Sequence, residues 1–444
     1  MRISLTFLLL ACLVIPLSAA EPSAREGLRS DWIDPTTGHR IIRLSPDEGG
    51  SSLYFHQHSY TPQGDKIVIN TRAGVMTVDL TNLGNGPIKR ELVGPGVRGL
   101  IATAWRTREA YYRRWGDNTI YAVNLDTKAT RKVVTLPSNV RAGAIAINCD
   151  ETLVVGIAPD PDGKPEPRLP PSGKLAPAAP GSLEPRWAEG LPMMIYTVNI
   201  KTGAFNVIHR EHDWTNHLQC SPTDPQQILF CHEGPWQYND RTWTIRADGS
   251  GLRLLHERTM NMEIEGHEFF SQDGRTVWYD LQTPESGVFW LGGVDLATGH
   301  RTWYHVERNE WSVHYNVSPD GKLFAGDGGG PTSVAARLPD GTPLPGGNGQ
   351  WIYLFRSTMV RGSSFRDKKD LIDVGYFKAE RLVDLSHHNY SKRGGVEPNL
   401  TFTPDGKWIV FSGNFDTNPG NGQRATTHVY AVEIAKPATP TQRP

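Results

Sequence analysis

Three shortages narrow the reading before any motif is considered. Charge of one sign is not in excess: 46 Lys and Arg stand against 47 Asp and Glu, leaving a formal net charge of −1 over 444 residues. Nucleic-acid binders ordinarily carry a basic excess, so that class is set aside. An anionic ligand must then be held by a local site rather than by the field of the whole molecule. Cysteine is scarce, four in all, with no CxxC pair, which excludes a disulfide framework and a thiolate zinc site. Cys220 and Cys231 flank a predicted hairpin and are open to either pairing or two buried thiols. Long apolar runs are the third shortage. Leu5 to Leu17 is too short and too early for a membrane span. Arg2 precedes it and Ser18-Ala19-Ala20 follows, the order of a secretory signal with a small-residue cleavage site. Residues 1–20 are therefore expected to be a signal peptide, and the mature chain to be exported, periplasmic or secreted, with no membrane span.

What is present in quantity is turn and strand chemistry: 45 Gly, 33 Pro and 13 Trp. No long amphipathic helical pattern separates the apolar runs, which disfavours a parallel α/β fold. A unit of strand, Ser/Thr-Pro-Asp-Gly-like turn and second apolar strand recurs along the chain. Its clear turns are Thr61-Pro62-Gln63-Gly64, Ser271-Gln272-Asp273-Gly274, Ser318-Pro319-Asp320-Gly321 and Thr403-Pro404-Asp405-Gly406. Weaker copies are Ser221-Pro222-Thr223-Asp224 and Asn148-Cys149-Asp150-Glu151, and a degenerate one spans 105–112. Proline presets φ and Asp-Gly supports a tight reversal, so these read as hairpins. Third strands follow, as at Ile120 to Asn124, Ile195 to Asn199 and Val429 to Glu433. Seven units of four antiparallel strands predict an all-β, seven-bladed β-propeller over 21–436, with a Pro-rich tail at 437–444. The last unit lacks a fourth strand, and Gly38 to Leu44 is expected to supply it and close the ring. Pro159 to Leu191 and Gly328 to His388 are too long for plain blades and read as insertions.

The innermost strand of a blade lines the central channel with alternate residues facing inward. Four residues before the Ser/Thr or Asn of the turn, six units place Gln57, Ala144, His217, His267, His314 and Asn399. Two residues upstream on the same face stand Glu265 and Glu397. His232, at the end of a second strand, is expected at the same mouth. Imidazole and hard-oxygen groups gathered in one channel suit a divalent cation such as manganese, and clustered titratable groups mark functional sites.

The run Asn216-His217, then Phe230-Cys231-His232-Glu233-Gly234-Pro235-Trp236, Arg241 with Trp243, Gly266-His267-Glu268-Phe269 and Glu397-Pro398-Asn399 resembles the oligogalacturonate lyase family. That resemblance covers most of the mature chain. It implies a seven-bladed propeller that cleaves uronic-acid oligosaccharides by β-elimination with a divalent cation, manganese or alternatively calcium. It also implies His267 as the base that removes the C5 proton, Arg241 beside the substrate and His314 as a metal ligand. Glu397 and Asn399 stand where the family's His-Pro-His segment falls, and Gly394 where it places a liganding glutamine. The metal set expected here is thus His314, Glu397 and Asn399, with His217 or His388 available to complete it. His217, His232 and Gln57 are expected to hold the sugar. The competing reading is a non-catalytic periplasmic propeller of the TolB type, which would account for the repeats and export but not for the channel histidines.

Overall fold

The computed structural model describes residues 29–114, 116–170, 173, 183–331, 333–338, 340–344, 350–360, 371–390, 395–416 and 425–437. The expected signal peptide, Gly394 and most of the tail lie outside these. Among the described residues strands dominate, and helix is confined to Glu184–Ala188 and two single 3₁₀ turns. None of these is long and apolar enough to cross a membrane.

The hairpin turns form as their residue types demand. At Ser318, Oγ donates to Asp320 Oδ1 at 2.7 Å while Leu323 N–H donates back to Ser318 Oγ at 2.9 Å. Gly321 closes the reversal with φ +72°, a conformation that costs a residue with a Cβ about 1–2 kcal/mol. Ser271 and Thr403 repeat the same bond to Asp273 and Asp405 at 2.6 Å. A turn that recurs this closely fixes where each hairpin begins, and so where each inner strand meets the channel.

The strands of the described residues assemble into six hydrogen-bonded sheets. Three have four strands each, and the sheet of Lys66–Asn70, Gly74–Asp79 and Arg90–Pro95 has three. An eight-stranded sheet consists of two antiparallel halves, Ile264–Phe270 to Arg301–Val306 and Tyr315–Val317 to Ile372–Asp384, joined by parallel pairing such as Trp303 with Val374. The remaining sheet joins both ends of the chain: Arg40–Arg43 pairs antiparallel with His428–Glu433, with Ile41 opposite Val432.

Strands covered on both faces read as continuous apolar runs; Trp408–Gly413 is buried throughout. The core lies between neighbouring sheets. Val155, Ile157 and Ile195 pack on Ile228, Phe230 and Ile245 of the next sheet, and Ile67, Ile69 and Val78 pack on Val410, Val429 and Ala431. Each such buried side chain contributes about 1.5–3 kcal/mol. The first strands of neighbouring sheets touch: Leu100–Thr103 meets Ile145–Ile147, which meets Trp214–Cys220, which meets Ile264–Phe270. The molecule is an all-β, propeller-like assembly. Cys149, Cys220 and Cys231 are free thiols: Cys220 lies opposite Ile228 and Cys231 opposite Asn216.

Candidate active site

Three of the residues singled out by their offset from the turn share an unusual backbone. His217, His267 and Asn399 have φ of +48°, +44° and +52°. The pairing register slips there, between Asn216 and Gln219 and between Gly266 and Phe269. Bulges of this kind re-aim a side chain. A left-handed non-glycine residue costs on the order of 1–3 kcal/mol and persists only where packing holds it.

The bulges bring the histidines together. His267 and His314 have ring centroids 4.6 Å apart, and His217 and His267 5.7 Å apart. Phe55 covers His314 at 4.6 Å. Burial pushes the His267 pKa well below its ordinary value, and the neighbouring His314, His217 and Arg241 push the same way. His267 is therefore neutral near pH 7. Its Nδ1 is buried with no hydrogen-bond partner, so no protein group fixes its tautomer.

His314 is held differently. Its Nδ1 lies 2.7 Å from Asp327 Oδ2 and its backbone N–H donates to Asp327 Oδ1 at 2.9 Å, with both side chains fully buried. A carboxylate behind Nδ1 leaves the Nε2 lone pair outward, the arrangement that serves a metal-binding imidazole. Glu397 Oε2 is 3.8 Å from that Nε2 and the Tyr54 hydroxyl 3.3 Å.

His217 and Arg241 form a third group around Glu268. The Glu268 carboxylate, fully buried, receives Arg241 Nε at 3.2 Å and lies 3.0 Å from His217 Nδ1. Burial works to raise its pKa, but the Arg241 guanidinium and His217 hold it far below the ordinary carboxylate range. Arg241 Nη1 also bonds Glu233 at 3.2 Å, and His217 Nε2 lies 3.5 Å from Glu233.

Four expectations need correction. His232 does not join this cluster. Successive strand residues face opposite sides, and on Gln227–Glu233 it is Cys231 and Glu233 that share His217's side; His232 instead meets Glu211 at 3.0 Å. Gln57 does not extend to the histidines either. The chain turns there, with Gln57 N–H donating to Tyr54 O at 2.8 Å and Tyr54 N–H to Gln57 Oε1 at 3.0 Å. Tyr54 and His56 take the place beside His217, and Gln57 lines a channel cavity of about 300 Å³ with Gln219, Phe269 and Asn316. Asn399 Oδ1 accepts from Phe55 N–H at 3.3 Å and its Nδ2 donates to Glu397 O at 2.9 Å. Its amide thus shapes the loop rather than facing His314 Nε2. His388 has both nitrogens engaged by backbone, Nε2 with Val396 O and Nδ1 with Asn414 N–H, so it anchors 395–399 and offers no ligand. At His314 the donors that fit a cation are its Nε2 and Glu397, and His217, Cys231 and Glu233 form another grouping with donor atoms within 4.8 Å of one another.

Tyr54, His56, Glu268 and Asp327 were not singled out from the sequence. Asp327 had a signal: it follows the strand directly opposite His314, as Tyr315 pairs with Gly326.

The sequence profile described as oligogalacturonate lyase matches residues 191–423, which contain every residue of the cluster except Tyr54, Phe55 and His56. The oligogalacturonate lyase of Dickeya dadantii is 25% identical over 391 residues, 87% of this chain and 93% of that one. The oligogalacturonide lyase of Pectobacterium atrosepticum is 24% identical with the same coverage. Among solved structures, an oligogalacturonate lyase in complex with manganese superposes with a TM-score of 0.69 at 22% identity, over 92% of this chain and 96% of its own. The Vibrio parahaemolyticus oligogalacturonate lyase gives 0.69 at 20%, over 92% and 97%. With the profile spanning more than half of the sequence and the site inside it, the chain belongs to the oligogalacturonate lyase family.

Proposed function

We propose that this chain is an oligogalacturonate lyase-like enzyme that cleaves uronic-acid-containing oligosaccharides by metal-assisted β-elimination. The observation that carries the reading is the convergence of His267, His314, His217 and Arg241 at one end of the channel in a member of this lyase family. In the reaction the C5 proton, α to the uronate carboxylate, leaves. Its electron pair forms the C4–C5 double bond, the glycosidic bond at C4 breaks, and the leaving oxygen takes up a proton.

Removing that proton loads negative charge onto a group already charged, so stabilising the developing charge is the main demand on the site. A divalent cation, manganese or calcium, held by His314 and Glu397 would supply Lewis-acid stabilisation at the substrate carboxylate. His267 accepts the C5 proton; it is neutral, and no hydrogen bond must be broken at its Nδ1 first. Arg241 is committed to Glu268 and Glu233. A uronate that reaches the guanidinium must displace Glu233, the more exposed of the two at 14% against 0%. His217, released from Glu233 by the same movement, presents Nε2 to the sugar.

The reading also takes in the finer architecture. Seven blades are counted if the eight-stranded sheet is divided at its parallel junction, and the pairing of Ile41 with Val432 supports closure by the N-terminal strand over a single domain of 21–436. Arg2, the apolar run and Ser18-Ala19-Ala20 support export.

The test is direct. Purified protein incubated with oligogalacturonate is expected to generate the ultraviolet absorbance of an unsaturated uronide, and a chelator to suppress it. No absorbance with any uronide tried, metal supplied, overturns the lyase reading and leaves the TolB-type binding module.

A further inference from the structure

A second group of metal-binding side chains lies outside the channel cluster. We propose that Glu211, Asp213 and His232, with His209 beside them, form a second metal site that takes a divalent ion of the zinc type. The residues come from two neighbouring sheets: His209 and Glu211 from Phe205–Glu211, and His232 from Gln227–Glu233. One donor atom from each of Glu211, Asp213 and His232 lies within 4.8 Å of the others.

The spacing suits coordination. His232 Nε2 is 3.0 Å and His209 Nε2 3.1 Å from the same Glu211 oxygen, Oε2. Zinc bonds to nitrogen and oxygen of roughly 2.0–2.2 Å set donors about this far apart around one ion. Thr215 Oγ1 donates to the other oxygen, Oε1, which leaves Oε2 to the imidazoles. A mixed imidazole and carboxylate set is the donor chemistry of zinc and its first-row neighbours.

The ring of His232 lies between two carboxylates, with Nε2 3.0 Å from Glu211 Oε2 and Nδ1 4.0 Å from Asp213 Oδ2. Nε2 is the nitrogen it offers to an ion, beside Glu211 Oε2 and His209 Nε2. The side chains are largely withdrawn from water, with 10% exposure at His232 and 11% at Glu211, so charge gathered there is weakly screened.

The role this site fits is structural. Asp213 also bonds Arg168 at 2.7 Å, Arg210 bonds Asp160 at 2.9 Å, and His212 Nε2 lies 3.0 Å from Lys164 O. Asp160, Lys164 and Arg168 belong to the insertion after Leu153–Pro159. An ion at Glu211 and His232 therefore clamps two sheets and the base of that insertion. The site is distinct from the channel because Cys231 and Glu233, on either side of His232, face the other way.

The experiment uses chelator-stripped full-length protein carrying His314→Ala and His217→Ala, so that neither the His314 group nor the His217, Cys231 and Glu233 group contributes metal, and titrates it with Zn²⁺ alone. One equivalent is expected to bind and raise the melting temperature. Glu211→Gln or His232→Ala in that background, each checked for fold by circular dichroism, is expected to weaken binding at least 100-fold. Anomalous scattering from a zinc-soaked crystal of the wild type locates the ion without any substitution. Density between Glu211 and His232 supports the site. No zinc bound, zinc found only elsewhere, or unchanged affinity in both variants overturns it and leaves a hydrogen-bonded acid and imidazole network.

Discussion

Nδ1 of His314 sits 2.7 Å from Oδ2 of Asp327, and neither side chain reaches solvent. The same Asp327 oxygen receives Asn399 N–H at 3.1 Å. One buried carboxylate thereby sets the tautomer of the expected metal ligand and the position of the loop that carries Glu397. Asp327→Asn keeps the size but loses one acceptor, so either His314 or the loop loses its partner. The expected outcome is roughly a 10- to 100-fold loss of metal affinity, measured by Mn²⁺ titration, with a destabilisation of about 1–3 kcal/mol for the unsatisfied group. Unchanged affinity would show that the His314 tautomer does not matter to the site.

Glu268 offers a stability test. Replacing it by Gln leaves Arg241 buried with Glu233 as its remaining carboxylate partner, and breaking a buried pair this way costs on the order of 3–5 kcal/mol. The pH dependence has a definite sign. Arg241 and His217 keep the folded-state pKa far below the unfolded value of about 4.3. The stabilisation is therefore complete above that value and is lost as pH falls below it. Urea unfolding of wild type and variant should show a full gap at pH 7 and a shrinking one from pH 4 to pH 3. A gap independent of pH would mean that the charge is not what Glu268 contributes.

Asp280 runs the other way. Burial raises its pKa to about 7 although Gln282 and Trp311 donate to it at 2.8 and 2.7 Å. Its charged form is worse in the fold than in the unfolded chain, where the value is about 3.9. Stability from this group is then greatest at or below that pH and falls as pH rises toward 7, by at most about 1.4 kcal/mol per unit. Asp280→Asn should gain on wild type from pH 4 to pH 7 and stop gaining above. A constant difference across that window, read by denaturant melts, would discard the assignment.

The parts of this molecule that were legible from sequence are those fixed locally. The Ser318 and Thr403 turns are made by residues within a few positions of one another, so their recurrence announced an all-β repeat. Counting back from those turns found His217, His267 and His314, because each unit repeats the same inner strand. Sequence and structure part where strands are irregular or their alternation breaks. The first unit's inner segment meets Lys66–Asn70 only through isolated bridges at Ser51 and Tyr60, and the turn at 54–57 puts Tyr54 and His56 where Gln57 was expected. His232 lies on the opposite face of its strand from the one expected, against Glu211. Asp327 was missed because a side chain that orients another has no motif of its own, and Glu268, although it lies in the Gly266-His267-Glu268-Phe269 run, was given no role. Asp327 is nonetheless recoverable by counting across the hairpin from His314.

The sharpest catalytic test separates His267 from His217. Both rings face the same space and both are imidazoles, but their surroundings differ. His217 Nδ1 is flanked by Glu268 at 3.0 Å and Arg241 at 3.3 Å, so its orientation is fixed by a charged pair. His267 has no such partner and is kept neutral by burial beside two other imidazoles. A base must be unprotonated before the reaction and free to take a proton during it, and His267 meets both demands. His267→Ala should lower kcat by roughly 10²–10⁴, the span usual for a general base, with KM nearly kept because the substrate carboxylate still meets the groups at His314. Arg241→Ala should raise KM as well as lower kcat, since it removes contact in the ground state and the transition state alike. His217→Ala should act mainly on KM. If His267→Ala eliminates at the wild-type rate while His217→Ala does not, the proton goes to His217, and the pair formed by Glu268 and Arg241 must then be tuning a base rather than holding a sugar.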